Sequence, residues 1–348
     1  MRENRSFLSG RPPRISVLLP VYNAETTLIP ALESLFQQSY PHFEIIAVDD
    51  GSTDRSGMIL QRLSLLDPRL RVISRPHRGI VSALNTAISL SRAPLLARMD
   101  ADDIALPGRL KVQKELLQVH PETGLVASKV GYLGKRRKNQ GYARYVDWTN
   151  TLISHKKISI NRFVESPLAH PTVMFRKNLV ERFGPYREGP FPEDYELWLR
   201  LLENGVRMQK IPRTLLFWRD SSGRLSRTHS NYSPEAFSRV KAEYLSQWLT
   251  HNNPHHPRVI LWGSGRITRK RAGFLLQAGI EFSAYVDIDL NKIGHTIQGV
   301  PVLSPDQIPP PGKAFILSFV SKRGAREEIG WMLDCLGYRI GVDYVFGA

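Results

Sequence analysis

The chain has 348 residues, 42% of them hydrophobic, with 48 Lys and Arg against 32 Asp and Glu for a formal net charge of +16. That length exceeds one ordinary core and suits two domains, while the single cysteine, Cys335, excludes an internal disulfide and a thiolate metal cluster. The positive excess points to polyanionic partners, whether phosphorylated substrates, an anionic membrane surface or nucleic acid. No apolar run reaches membrane-spanning length, and residues 1–14 form a basic, polar tail without an apolar signal core, so a cytoplasmic protein is expected.

Ile15-Ser16-Val17-Leu18-Leu19-Pro20 reads as a buried first strand, with Val21-Tyr22-Asn23-Ala24 as its exit loop. Leu28, Ala31, Leu32, Leu35 and Phe36 then form the apolar stripe of a surface helix that ends before Tyr40-Pro41. Residues 43–48 make a second strand, which stops abruptly in Asp49-Asp50-Gly51-Ser52-Thr53-Asp54. A helix through Ile59, Leu60, Leu63 and Leu66 follows, then a strand at 70–74, a helix at 81–90 and a strand at 94–99. This alternation predicts a mainly parallel, doubly wound sheet, in which ligands bind beyond the carboxyl ends of the strands.

Two acidic loops fall at such ends, Asp49-Asp50 and Arg98-Met99-Asp100-Ala101-Asp102-Asp103. Carboxylates this crowded repel unless a cation sits between them, so Asp-x-Asp at a strand end is a candidate site for Mg2+ or Mn2+ shared with a diphosphate. Helix capping by Asp103, ahead of Leu106-Pro107, is the competing reading. Leu110, Leu116 and Leu117 mark the next helix, and Gly124-Leu125-Val126-Ala127 a strand.

From Lys129 to Arg162 basic residues face the single acid Asp147, interleaved with Tyr132, Tyr142, Tyr145 and Trp148. Without a nucleic-acid module pattern, this stretch reads as a solvated or membrane-facing surface rather than a nucleic-acid site. His170-Pro171-Thr172 precedes the strand Val173-Met174-Phe175-Arg176. Leu197, Trp198 and Leu201 give a helical stripe that puts Glu193 and Asp194 in a first turn, where the helix dipole favours their ionised forms. A helix through Val240, Tyr244 and Trp248 leads into the linker-like run 251–257, whose three histidines lack metal-site spacing.

Beyond it, Arg258-Val259-Ile260-Leu261-Trp262, the turn Gly263-Ser264-Gly265, a helix at 268–278 and the strand ending at Asp287 outline a second, small Rossmann-like α/β domain over 258–348. Asp287 stands where a dinucleotide fold places its ribose-binding acid, but Thr268 replaces the third glycine of that fingerprint. A partner-binding or regulatory module, open to oligomer formation, is preferred to one holding a nucleotide.

Four motifs in register carry a resemblance: Pro20-Val21-Tyr22-Asn23, Asp49-Asp50-Gly51-Ser52-Thr53-Asp54, the segment from Gly79 to Asn85, and Arg98-Met99-Asp100-Ala101-Asp102-Asp103. Together they resemble bacterial family 2 glycosyltransferases, inverting enzymes of the GT-A fold, and the likeness runs to about residue 230. It implies a GT-A domain at 15–230, a helix and linker at 231–257, and a divalent metal, Mg2+ or Mn2+. The partners it implies are a nucleotide-sugar donor, expected to be UDP-linked, and a glycan or lipid-linked acceptor, with peripheral contact at the inner membrane face and no nucleic acid.

The resemblance also carries roles residue by residue. Pro20, Tyr22, Asn23, Asp49, Asp50, Asn85, Arg98, Asp100 and Ala101 would line the donor site, with Asp50 accepting from the base and Asp49 as the other candidate. Asp102, with Asp100, would hold the metal. Asp220 stands where relatives have a histidine ligand, which leaves Asp220 and His229 as alternatives for the remaining ligand. Leu84 replaces a familiar arginine, so Arg78 or Arg98 would contact phosphate, and Arg224 and Arg227 would clamp the diphosphate. Asp194 is the expected base, oriented by Glu193. Trp198 and His170 are assigned to the acceptor side, although a histidine beside proline is more often a structural hydrogen-bonder. In the second half of this fold, the basic stretch 129–163 implies an acceptor with phosphate, uronic acid or a lipid headgroup, or else a solvated loop. The competing functions are a non-catalytic nucleotide-binding scaffold and a metal-dependent nucleotidyltransferase.

Overall fold

The protein is described by a computed structural model covering residues 12–220 and 223–348; most of the basic tail, 1–11, lies outside the described residues, as do Ser221 and Ser222. The chain divides into two compact units, the first containing 1–155, 168–188 and 204–222, the second 156–167, 189–203 and 223–348.

The first unit is built on one sheet of eight strands: β1 (Ile15–Val21), β2 (Phe43–Asp49), β3 (Leu70–Ser74), β4 (Leu95–Arg98), β5 (Ile104–Ala105), β6 (Thr123–Leu133), β7 (Met174–Arg176) and β8 (Arg207–Arg219). Their order is β3-β2-β1-β4-β7-β6-β8-β5. The first four strands run parallel, β7 lies antiparallel between β4 and β6, and β6 pairs with β8 in parallel. Strand order reverses between β1 and β4, so their carboxyl ends open the crevice where doubly wound sheets bind ligands. Register places the exits together, with Val21 opposite Asp49 and Leu18 opposite Arg98.

β1 and β2 are almost wholly buried, which is why they read as unbroken apolar runs. Ile15, Val17 and Leu19 pack with Ile45 and with Leu28, Leu32 and Leu35 of the helix Leu28–Phe36. Truncating one of these, for example Leu32→Ala, would cost about 2–5 kcal/mol through lost burial and the cavity left behind.

The stretch 129–163 is not a loop. It continues β6 to Leu133 and then forms the helices Gln140–Thr149 and His155–Asn161. The first of these helices buries Ala143, Val146 and Thr149, while Asp147 takes a forked contact from Arg136 at 3.0–3.2 Å.

The second unit carries six strands, β9 (Arg258–Trp262), β10 (Glu281–Val286), β11 (Thr296–Ile297), β12 (Val300–Leu303), β13 (Ile316–Ser318) and β14 (Tyr344–Phe346), in the order β11-β12-β10-β9-β13-β14. All pairs are parallel except β11 with β12. The helix Pro234–Asn252 begins with Pro234 and a Ser233 hydroxyl that accepts from Ala236 N at 3.2 Å, a standard N-cap. Its Leu245 and Leu249 join Val259, Leu261 and Phe315 in the unit's core, so this helix is part of the packed body. Lys241 on the same helix donates to the Val164 and Gly347 carbonyls at 3.0 and 2.7 Å, and burial pushes its ammonium down to about 8. Asp287 accepts from Ser264 N at 3.1 Å and pairs with Lys292 at 3.3 Å. Among the described residues no helix is long and apolar enough to cross a membrane.

Candidate active site

At the carboxyl ends of β1 and β2 the backbone is stitched loop to loop. Asn23, at φ 48°, accepts from Thr53 N at 2.8 Å, Ser52 Oγ accepts from Asn23 N at 3.0 Å, and Asp54 accepts from Glu25 N at 3.0 Å. The Asp-Gly-Ser-Thr-Asp run therefore fixes the loop holding Tyr22. Asp49 is buried and accepts from Ser52 N at 3.0 Å. Pro20 lies within β1, one residue short of its end.

Asp50 is 3% exposed and forms the knot of this edge. Its Oδ1 accepts from Arg75 Nε at 2.9 Å and from Arg78 N at 3.1 Å, with Arg75 Nη2 at 2.5 Å. Its Oδ2 accepts from Gly79 N at 2.8 Å and lies 2.9 Å from His77 Nδ1. The expected hydrogen bond from a base to Asp50 thus meets a carboxylate whose lone pairs are already engaged. His77 in turn stacks on Tyr22, with ring centroids 4.2 Å apart and planes 27° apart, and Tyr22 is 49% exposed. A Cβ on Gly51 would lie 2.6 Å from His77 N, and Gly51 has φ 74°, so only glycine lets these loops meet.

The acidic loop leaves β4 beside them. One carboxylate oxygen from each of Asp100, Asp102 and Asp103 lies within 4.8 Å of the others. Arg98 Nη1 is 2.5 Å from Asp100 Oδ1, while Ala101 is buried in the core. Asp103 is fully buried and accepts from Arg219 N at 2.8 Å; Arg219 Nε donates to the Asp102 carbonyl at 2.9 Å. Beneath the loop the buried Arg109 donates to the Arg98 carbonyl at 2.6 Å. Burial pushes this guanidinium down to about 9, against the attraction of Asp103.

A relay of contacts runs from Asn85 to His170, whose imidazole feels the charge of Arg98. Asn85 clasps the Tyr186 backbone from both sides, donating to its carbonyl at 2.9 Å and accepting from its N–H at 3.1 Å. Tyr186 Oη lies 2.8 Å from His170 Nε2. His170 is buried, and burial, then the Arg98 charge, holds its imidazole well below the usual histidine range. The structure thus ties Asn85 through Tyr186 to His170, which is 8% exposed rather than open to an acceptor.

Asp220 follows β8, where it accepts from Asn139 Nδ2 at 2.6 Å and from the Tyr132 hydroxyl. It is not in the three-carboxylate group. The remaining expected residues belong to the second unit. Asp194 is partly exposed in the first turn of the helix Glu193–Glu203, with its Oδ1 accepting from Tyr195 N at 2.7 Å. Glu193 is buried and accepts from the Tyr232 hydroxyl at 2.6 Å. Trp198 is fully buried, as the apolar stripe of that helix demands, and so is not exposed toward an acceptor. Arg224 caps the helix Leu225–Thr228, which carries Arg227 in its last turn, and His229 Nδ1 accepts from Asn231 N at 3.2 Å.

Sequence reading overlooked Arg75, His77 and Arg109. Arg75 and His77 stand just past β3, ahead of Gly79, a signal visible once Asp50 needs partners; Arg109 carried none, because nothing in the sequence marks a charged residue for full burial.

Known proteins resemble this chain in sequence and in fold. The glycosyl transferase family 2 matches residues 16–184. The amylovoran biosynthesis glycosyltransferase AmsE of Erwinia amylovora is 32% identical over 58% of this chain and 74% of its own length. The Escherichia coli UDP-Gal:alpha-D-GlcNAc-diphosphoundecaprenol beta-1,3-galactosyltransferase is 26% identical over 68% of this chain and 84% of its own. Among solved structures, S. aureus TarS in complex with UDP-GlcNAc has a TM-score of 0.53 at 19% identity, over 76% of this chain and 71% of that one, a likeness of fold. With a mainly parallel crevice at β1 and β4 and relatives of this kind, the chain belongs to glycosyl transferase family 2 and is a glycosyltransferase.

Proposed function

We propose that the protein moves a sugar from a UDP-linked donor to an acceptor hydroxyl of a glycan or lipid-linked saccharide, with inversion at the anomeric carbon. The observation that carries this reading is the meeting of the Tyr22–His77 stack and the Asp100, Asp102 and Asp103 carboxylates at one edge of the sheet. The exposed face of Tyr22 offers stacking to a nucleobase, and Asp50 with Arg75 holds that platform rigid. The UDP-linked donor is further supported by the relative named for UDP-Gal.

Three carboxylate oxygens within 4.8 Å make an all-oxygen donor set that fits a hard divalent cation such as Mg2+ or Mn2+, with Asp102 and Asp100 as its holders. Such an ion supplies neutralisation of the charge that grows on the departing diphosphate. Arg98 fixes Asp100, and Arg219 fixes the Asp102 backbone, so the donor-side carboxylates are oriented before substrate arrives. Asp194 takes the proton from the acceptor hydroxyl while that oxygen bonds to the anomeric carbon and the bond to the diphosphate breaks. Glu193, held by Tyr232, orients that turn.

Thermal unfolding in the presence of UDP-, GDP- and dTDP-linked sugars, with and without Mn2+, tests the reading. Metal-dependent stabilisation by a UDP-sugar is expected, because a ligand bound to the native state raises its melting point. No stabilisation by any nucleotide sugar would overturn it.

A further inference from the structure

The geometry points to a second binding site on the first unit, a cavity of about 1150 Å³ that accepts the phosphate headgroup of an anionic membrane lipid. It lies at the opposite end of the sheet from the donor edge, beside the residue preceding β1, the residues leading into β4, and the end of β7. The seven residues of β1 separate the two ends by about 20 Å at about 3.3 Å per residue.

Five cations line this cavity, Arg14, Arg92, Lys114, Arg176 and Lys177, against the single carboxylate Glu181. Three of the five have contacts to neutral acceptors. Arg176 donates to the Thr123 and Leu117 carbonyls at 3.0 and 2.6 Å, Lys177 to the Ser91 carbonyl at 2.7 Å, and Lys114 to Gln118 Oε1 at 2.7 Å. These bonds fix the cationic groups without cancelling their charge. Arg92 pairs with Glu44 at 2.8 Å, but that carboxylate also holds Arg71 at 2.6 Å, so two cations share one anion. The result is a preorganised positive field.

Apolar surface accompanies the charge. The exposed Pro12, Pro94 and Pro121 and the half-buried Tyr40 ring line the same cavity, with Leu95 and Leu117 buried beneath, and Lys114 Nζ sits 5.0 Å from that ring centroid. A cationic rim over an apolar wall suits a phosphate diester that carries an acyl chain. Double-stranded nucleic acid, with no apolar part to place there, suits it less well.

The test is co-sedimentation of the full chain with vesicles of phosphatidylcholine alone and of phosphatidylcholine mixed with phosphatidylglycerol. Arg14→Gln combined with Lys114→Gln removes two charges without touching the carbonyl-anchored Arg176. The proposal expects binding to the anionic vesicles only, weakened about thirtyfold in this variant at about fivefold per charge. A control on the second unit, Lys313→Gln with Lys322→Gln, should bind like the parent, and both variants should titrate the nucleotide sugar unchanged. Equal losses in the two variants would assign the attraction to overall charge and overturn the site. So would binding of inorganic phosphate or duplex DNA that responds to Arg14 and Lys114 while anionic vesicles are not bound.

Discussion

Arg98 Nη1 lies 2.5 Å from Asp100 Oδ1, and the arginine is 1% exposed, so the strand that delivers the acidic loop also supplies its buried counter-charge. Arg98→Met keeps the volume and removes the charge, leaving Asp100 beside Asp102 and Asp103 with less compensation. Breaking a buried pair from one side costs about 3–5 kcal/mol, and the 20% exposure of Asp100 puts the loss at the lower end. Urea unfolding of the two proteins measures it; a change below about 1 kcal/mol would show that the pair does not hold the loop.

Asp102→Ala should weaken metal-dependent donor binding by at least about tenfold while leaving folding intact, because the residue is only partly buried. Calorimetric titration with UDP-sugar and Mn2+ is the measurement. Unchanged affinity would remove Asp102 from the metal site.

How much of this was legible in the sequence depends on what each residue does. β1, β2 and β4 lie in the interior of the sheet, so burial on both faces wrote them as apolar runs, and their loops stood out by contrast. The helix Gln140–Thr149 was hidden because only Ala143, Val146 and Thr149 are buried, and its charged residues read as loop. Nor does any local pattern announce that Asn85 will clasp Tyr186, 101 positions away, or that Tyr186 will meet His170. Such contacts are made by topology. For Trp198 the stripe with Leu197 and Leu201 already implied burial, and the family resemblance outweighed it.

Asp194→Asn should lower turnover by about 10²–10⁴-fold, the usual contribution of a positioned base, while UDP-sugar affinity stays as in the parent. The amide keeps the oxygen that accepts from Tyr195 N, so the first turn of its helix should survive. Turnover at the parental rate would remove Asp194 from the role of base.

The last expectation concerns pH. His170 is neutral when folded, because burial and then the charge of Arg98 depress its proton affinity, whereas in the unfolded chain it titrates near about 6.5. Below about pH 6.5 the unfolded state therefore binds a proton that the native state refuses, and stability falls as pH is lowered through this window. One such proton contributes up to about 1.4 kcal/mol per pH unit to the slope. His170→Gln retains a hydrogen-bonding group for Tyr186 and cannot titrate. Urea unfolding at intervals between pH 7 and pH 5 should show a shallower decline in the variant than in the parent. Parallel curves would mean that His170 takes up its proton in the folded state, and the Arg98 charge beside it would then have to be met by another group.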